Sequence, residues 1–356
     1  MLRWVPLKKW KNLTTVGVKQ QSDADFKLLI QQVHGKNLLK KIKMIKYPLF
    51  SRLFRTYRDP SGKLGQLKRR FAAYHISLLH HENRSRGHQR LVLIVAGYKN
   101  ALWDIILTRI AKHTPLETDV CVVCPGKRDS RLEKICSEND WSILCTRENQ
   151  LALACNIAIT EHPQAEFIHK LDEDIVVSDH YFLEIESTYH YVKSIDEYEI
   201  GFVAPTLNVN GFCYRKFLDF INPQLKIRYL LEFGDFRSSC MNTSAWSNPD
   251  AAKFLWNNSL PFDKTSEKFL SRPQGFDICH HRFSIGAIFF HRKTWKEFGY
   301  FSRAGEGELG AEEADLCAFC CDTSKAMLVA HRVFAGHVGF GPQSKLMIPW
   351  FTKNFC

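Results

Sequence analysis

Six apolar residues in a row, Leu91-Val-Leu-Ile-Val-Ala96, are closed by Gly97 and followed at once by the helical pattern Ala101–Ile110. A run this short, apolar at every position instead of every second one, fits a strand covered on both faces, and such strands belong to parallel sheets. The unit recurs. Asp119–Cys124, halted by Pro125-Gly126, precedes a helical stretch Arg131–Asp140; Ser142–Cys145 precedes the Ala- and Leu-rich Gln150–Thr160; Glu166–Leu171 is a fourth strand. The order βαβαβαβ predicts an α/β fold: a Rossmann-like, mostly parallel sheet flanked by helices, with ligands bound beyond the carboxyl ends of its strands.

The fourth strand runs straight into Lys170-Leu-Asp172-Glu-Asp174, followed by the apolar Ile175-Val-Val177. Two carboxylates one residue apart at a strand end can turn to one side, where a divalent cation would offset their repulsion. Taken alone, the pair reads more readily as a solvated acidic turn; the apolar strand before it, the apolar run after it and the sheet upstream shift the balance. Later come the strand Ser284–Phe290, interrupted by Gly286, the acidic helix start Gly310-Ala-Glu312-Glu313-Ala-Asp315, and His337 between glycines after an apolar strand. The bland alternatives are an acidic first turn favoured by the helix dipole and a turn histidine. The position of all three after one nucleotide-sized sheet favours a shared site.

Composition excludes several classes. With 45% hydrophobic and 24% charged residues over 356 positions the chain is a folded globular protein. Its longest aliphatic run falls far short of the about 20 residues that cross a bilayer. The start lacks a secretory core, so we expect a cytoplasmic protein in which the glycosylation sequons at Asn12, Asn83, Asn242 and Asn257 are silent. Twelve cysteines in a chain this long, several of them in apolar strands or helices, read as buried reduced thiols and not as a disulfide scaffold or zinc site.

The net charge of +12 is unevenly spread: residues 1–90 hold 21 Lys and Arg against four acids, Asp23, Asp25, Asp59 and Glu82. Polar His80–His88 reads as a linker, which gives three parts: a basic, mainly helical region 1–88, an α/β domain 89–345, and a tail 346–356. The mixture of cationic and apolar residues over Leu38–Arg58 suits a helix lying on anionic lipid at the inner membrane face; a solvated or partner-binding arm is the alternative. Nucleic acid is not expected, because no aromatic stacking platform is present and the body is mildly acidic.

In this order the pieces resemble the nucleotide-sugar glycosyltransferases of the GT-A fold, most closely the large family 2. They are Leu91–Asn100, Asn149–Asn156, Lys170–Asp174, Gly201–Pro205, Ser284–Phe290, Gly310–Leu316 and His337. The resemblance covers about residues 90–340 and is interrupted by an unmatched insertion, 206–283. It implies a nucleotide-sugar donor cupped by Ala96, Tyr98, Asn100, Asp129, Asn156, Lys170, Asp172 and Gly286. It implies manganese or magnesium held by Asp172, Asp174 and His337, with Glu313 as general base and Glu312 as its neighbour and substitute. Sugar transfer would invert the anomeric centre and serve surface polysaccharide or glycolipid synthesis.

The sequence also departs from that family. Its usual aspartate base is glutamate here, its acidic pair after the second strand is Cys124-Pro125, and its opening proline is Gly97. The insertion carries Tyr214, Phe217, Trp246, Trp256 and His280-His281-Arg282, which would form a glycan or glycolipid acceptor pocket or else pack a small subdomain. The other readings are a nucleotidyltransferase, which lacks its phosphate loop here, and a non-catalytic glycan-binding or scaffold protein that keeps the fold.

Overall fold

The computed structural model describes residues 78–234, 237–239, 241, 243–301 and 310–355. All of them belong to one compact unit, Pro60–Cys356. Residues 1–77, with the basic stretches expected at a membrane surface, lie outside the described residues.

The strands are β1 (Leu78–Glu82), β2 (Arg90–Val95), β3 (Thr118–Cys124), β4 (Ser142–Thr146), β5 (Phe167–Asp172), β6 (Ile175–Val177), β7 (Glu199–Leu207), β8 (Phe276–Cys279), β9 (Ala287–His291) and β10 (Lys325–His337). They form one ten-stranded sheet in the order β1-β4-β3-β2-β5-β9-β7-β10-β6, with β8 paired to β10. The four expected strands are present within one or two residues. They form a parallel block β4-β3-β2-β5 in which Leu91, Val92, Leu93 and Ile94 are fully buried.

The sheet is mixed, not mostly parallel. β9 runs antiparallel to both β5 and β7, and β1, β6 and β8 are antiparallel to their partners. The chain comes back to the middle of the sheet from the 206–283 segment, and β9 therefore enters against the direction of the parallel block. The boundary expected near residue 88 also differs: β1 lies in the stretch read as linker, where His80, His81 and Glu82 pair with Cys145, Leu144 and Ile143. These polar residues hide the strand because it lies at the sheet edge, where only part of each side chain is covered.

Helices α1 (Trp103–His113), α2 (Ser130–Glu138) and α3 (Leu151–Glu161) make the crossovers, and α4 (Tyr181–Ile195) links β6 to β7. In α3 seven residues from Ala152 to Ile159 are buried, which explains its nearly uniform apolar composition. The segment 206–283 folds into α5 (Cys213–Ile221), α6 (Pro223–Phe233), α7 (Ser244–Ser247), α8 (Pro249–Asn257), α9 (Phe262–Leu270) and then β8. Tyr214, Phe217 and Trp256 are fully buried there, so they serve packing and not an open acceptor pocket. After β9 come α10 (Arg292–Phe298) and α11 (Ala311–Asp322). The expected tail 346–356 is instead most of a helix, α12 (Ser344–Asn354), whose Phe351 meets Trp256 edge-on at 4.9 Å between ring centres. Among the described residues no helix is long and apolar enough to cross a membrane.

Candidate active site

Asp172 is the last residue of β5, in register with Val95 at the end of β2. Its backbone N–H donates to Gly286 O at 2.8 Å, which ties the strand end to the segment leading into β9. Gly286 allows this close approach, since a Cβ at that position would lie 3.3 Å from Asp172 Oδ2 and press on the carboxylate. One oxygen of Asp172 is already held: Lys170 Nζ donates to Oδ1 at 2.6 Å and to Ile285 O at 3.0 Å. Lys170 is buried; although burial alone would lower its pKa, Asp172 keeps the ammonium charged and raises it.

Glu173, the residue between the two aspartates, has the most hydrogen bonds of the three. Its carboxylate accepts from the backbone N–H of Gly97 and of Tyr98, each at 2.9 Å, and from Trp103 Nε1 at 2.6 Å. The loop after β2 is therefore folded around a buried carboxylate. Gly97 adopts φ +136°, and a Cβ there would be 2.8 Å from Cys124 Sγ, which accounts for glycine where the resembling family has proline. Nothing in the sequence singled out Glu173 because it occupies the variable position of the Asp-x-Asp motif.

Asp174 and His337 come together because β6 and β10 pair, with His337 opposite Ile175. His337 Nδ1 lies 2.9 Å from Val209 O, and Nε2 faces Asp174 Oδ2 at 3.3 Å. The Lys99 ammonium is bonded to the same Oδ2. Burial alone would push the Asp174 carboxyl up, but Lys99 first and His337 second more than reverse this and hold it well below the usual carboxylate range. Oδ1 of Asp174 is buried with no hydrogen-bond partner among the described residues. Lys99 is not among the expected site residues, since it lies 75 positions from Asp174 in the sequence.

The second acidic group lies at the start of α11. Arg282 Nε donates to Glu313 Oε1 at 2.6 Å, and Ile285 N–H donates to Glu313 Oε2 at 3.3 Å. Glu312 makes no hydrogen bond to another side chain among the described residues. Burial, with Asp172 and Glu313 adding to it, raises its pKa above the usual glutamate range against the pull of Lys170.

The remaining expected residues divide. Ala96 is buried at the end of β2, where its N–H donates to Val123 O at 3.0 Å. Tyr98 is 57% exposed beside the same strand ends; its hydroxyl donates to Pro125 O at 2.8 Å, and Lys127 Nζ lies 4.9 Å from its ring centre. Asn100 is exposed in a single 3-10 turn, Asn100–Leu102, that leads into α1. Asp129 caps α2, accepting from the N–H of Arg131 at 3.0 Å and of Leu132 at 3.4 Å. Asn156 is buried: its oxygen accepts from Trp295 Nε1 and from Phe301 N–H, each at 3.0 Å, and its amide donates to Phe301 O at 2.9 Å. Those bonds brace α3 against the segment after α10, a packing role.

As a set, the three expected metal ligands do not fit a divalent cation. Asp172 is held by Lys170, and the seat between Asp174 and His337 is taken by Lys99. Among the described residues no group of three or more His, Cys, Asp or Glu is arranged to hold a metal ion.

No protein-family model matches the chain, and no curated protein sequence does. Many solved structures resemble this one in fold, and two of them are glycosyltransferases. One is "Crystal structure of GalNAc-T7 with UDP, GalNAc and Mn2+", at 12% identity and TM-score 0.42 over 72% of this chain and 45% of that one. The other is the mannosyltransferase PcManGT from Pyrobaculum calidifontis in complex with GDP-Man and Mn2+, at 15% identity and TM-score 0.38 over 80% of this chain and 66% of that one. This chain thus spans less than half of the first and just under two thirds of the second. At these scores neither likeness carries a function across.

Proposed function

We propose that the chain is a nucleotide-sugar glycosyltransferase that passes the sugar of a nucleoside diphosphate donor to a hydroxyl of a glycan or glycolipid acceptor, with inversion. One observation carries the reading: both acidic groups are tied to one short segment, Ile285-Gly286. Ile285 gives its N–H to Glu313 and its carbonyl to Lys170, which holds Asp172, while Gly286 gives its carbonyl to the Asp172 backbone. The start of the acidic helix, which carries Glu312 next to Glu313, and a donor-binding edge are then fixed relative to each other, as a displacement at one carbon requires.

In that displacement the acceptor oxygen attacks the anomeric carbon as the bond from that carbon to the diphosphate oxygen breaks. The electron pair leaves with the diphosphate, and the hydroxyl proton passes to a carboxylate. Glu312 is the better base of the two glutamates. Its raised pKa improves proton affinity, whereas Glu313 is held by Arg282. Tyr98, largely exposed beside the strand ends, offers a face for the nucleobase.

The test is a thermal-shift panel of nucleoside diphosphate sugars on the full chain. A ligand that binds only the folded state raises its melting temperature, and one donor is expected to do so. A folded protein that responds to none of them would sink the reading.

A further inference from the structure

We propose that Lys99 is the resident cation of this site: its ammonium, seated on Asp174 beside His337, binds the diphosphate of the donor in the place a divalent metal would take. The inference rests on the glycosyltransferase reading and deepens it.

Charge supports the inference first. Two carboxylates loaded with one divalent ion would be neutral, and Asp172 and Asp174 are already neutralised by two ammonium groups, Lys170 and Lys99. A metal entering the seat between Asp174 and His337 would have to displace Lys99 or stand against its like charge.

Geometry supports it second. The Asp174 side chain is 1% exposed and that of Lys99 26%, so of the pair only the lysine is partly open to solvent, with its ammonium drawn in against the carboxylate. Of the three N–H donors of Lys99, the carboxylate of Asp174 is the only hydrogen-bond acceptor among the described residues, which leaves donors for phosphate oxygens. The backbone beneath Lys99 is fixed, because Glu173 holds the N–H groups of Gly97 and Tyr98 just before it. The ammonium is thus in position before any ligand arrives, the condition under which a cation stabilises developing charge without reorganisation. When the anomeric carbon–oxygen bond breaks, the electron pair and negative charge pass to the diphosphate oxygen, and the N–H donors of Lys99 meet that charge without giving up a proton.

The experiment is titration calorimetry of UDP, GDP, ADP, CDP and dTDP into the full chain, once with EDTA and once with manganese chloride. One of them is expected to bind in EDTA about as tightly as with manganese. Lys99→Met should weaken that binding at least about tenfold, the worth of a hydrogen bond between charged groups, while Lys99→Arg largely preserves it. Because Lys99→Met leaves a buried carboxylate uncompensated, the double variant Lys99→Met/Asp174→Asn, checked by its melting temperature, gives the same answer in a protein free of that burden. Binding that needs manganese, or that survives Lys99→Met unchanged, overturns the role of Lys99 and leaves the glycosyltransferase reading standing. A folded chain that binds none of the five in either buffer overturns both.

Discussion

Arg282 and Glu313 are joined by a charge-assisted hydrogen bond of 2.6 Å, and that bond separates two adjacent glutamates into a held one and an available one. In sequence they are indistinguishable; in the fold, one is a strut and the other is buried within the fields of Lys170 and Asp172.

The substitutions Glu312→Gln and Glu313→Gln should therefore differ in kind. Removing the base is expected to lower turnover by about 10²-fold or more while donor affinity holds. Glu313→Gln weakens a charged hydrogen bond and should lower stability by about 1–2 kcal/mol. Denaturant unfolding and donor titration on both variants check this; a Glu312→Gln enzyme with parental turnover would remove Glu312 from the mechanism.

The pH dependence follows from the same residue. A base with a raised pKa is protonated, and idle, up to a higher pH than an ordinary glutamate. The ratio kcat/KM should accordingly rise with pH through that raised value, and the limb should be missing from Glu312→Gln. On stability the sign is reversed: the raised pKa gives a contribution that is full below the ordinary glutamate pKa and lost as pH rises through the folded value.

Asp174 behaves in the opposite way. Its depressed pKa means that the pairing with Lys99 and His337 stabilises the fold above the ordinary aspartate pKa, and that this contribution is lost as pH falls towards the folded value. Urea midpoints should drop steeply below about pH 4 in the parent chain. Asp174→Asn should be less stable at neutral pH by about 3 kcal/mol and flatter on the acid side. Parallel pH curves for the two proteins would count against the pairing.

Glu173 offers a test of the opening loop. Three N–H donors converge on its carboxylate, and Glu173→Gln would turn an amide N–H towards at least one of them. A loss of about 3 kcal/mol is expected, with faster amide exchange at Gly97 and Tyr98. Unchanged exchange there would mean that the loop is held by other contacts.

How far the sequence could be read follows from these residues. β2 is legible because a strand buried on both faces is apolar throughout, β3, β4 and β5 because most of their buried positions are apolar despite Asp119, Ser142, His169 and Lys170, and Asp172 stands out because it ends such a strand. β1 is not, because its His80, His81 and Glu82 carry an edge strand's polarity, and neither is the antiparallel direction of β9, since residue type does not record which way a strand runs. The partners of the acids, Lys99, Trp103 and Arg282, are 75, 70 and 31 positions from Asp174, Glu173 and Glu313, and separations that long leave no local pattern. Asn156 shows the converse: its place in α3 was read from the resemblance, while its amide is used by Trp295 and Phe301, residues far away in the sequence.

The most direct test of the whole account is release of nucleoside diphosphate from the nucleotide sugar that the chain binds, with the parent protein and Glu312→Gln compared side by side. The account predicts steady release by the parent and at least about a hundredfold less by the variant, with both binding the donor equally. Equal release by the two proteins, or none by a parent that binds the donor, would contradict it.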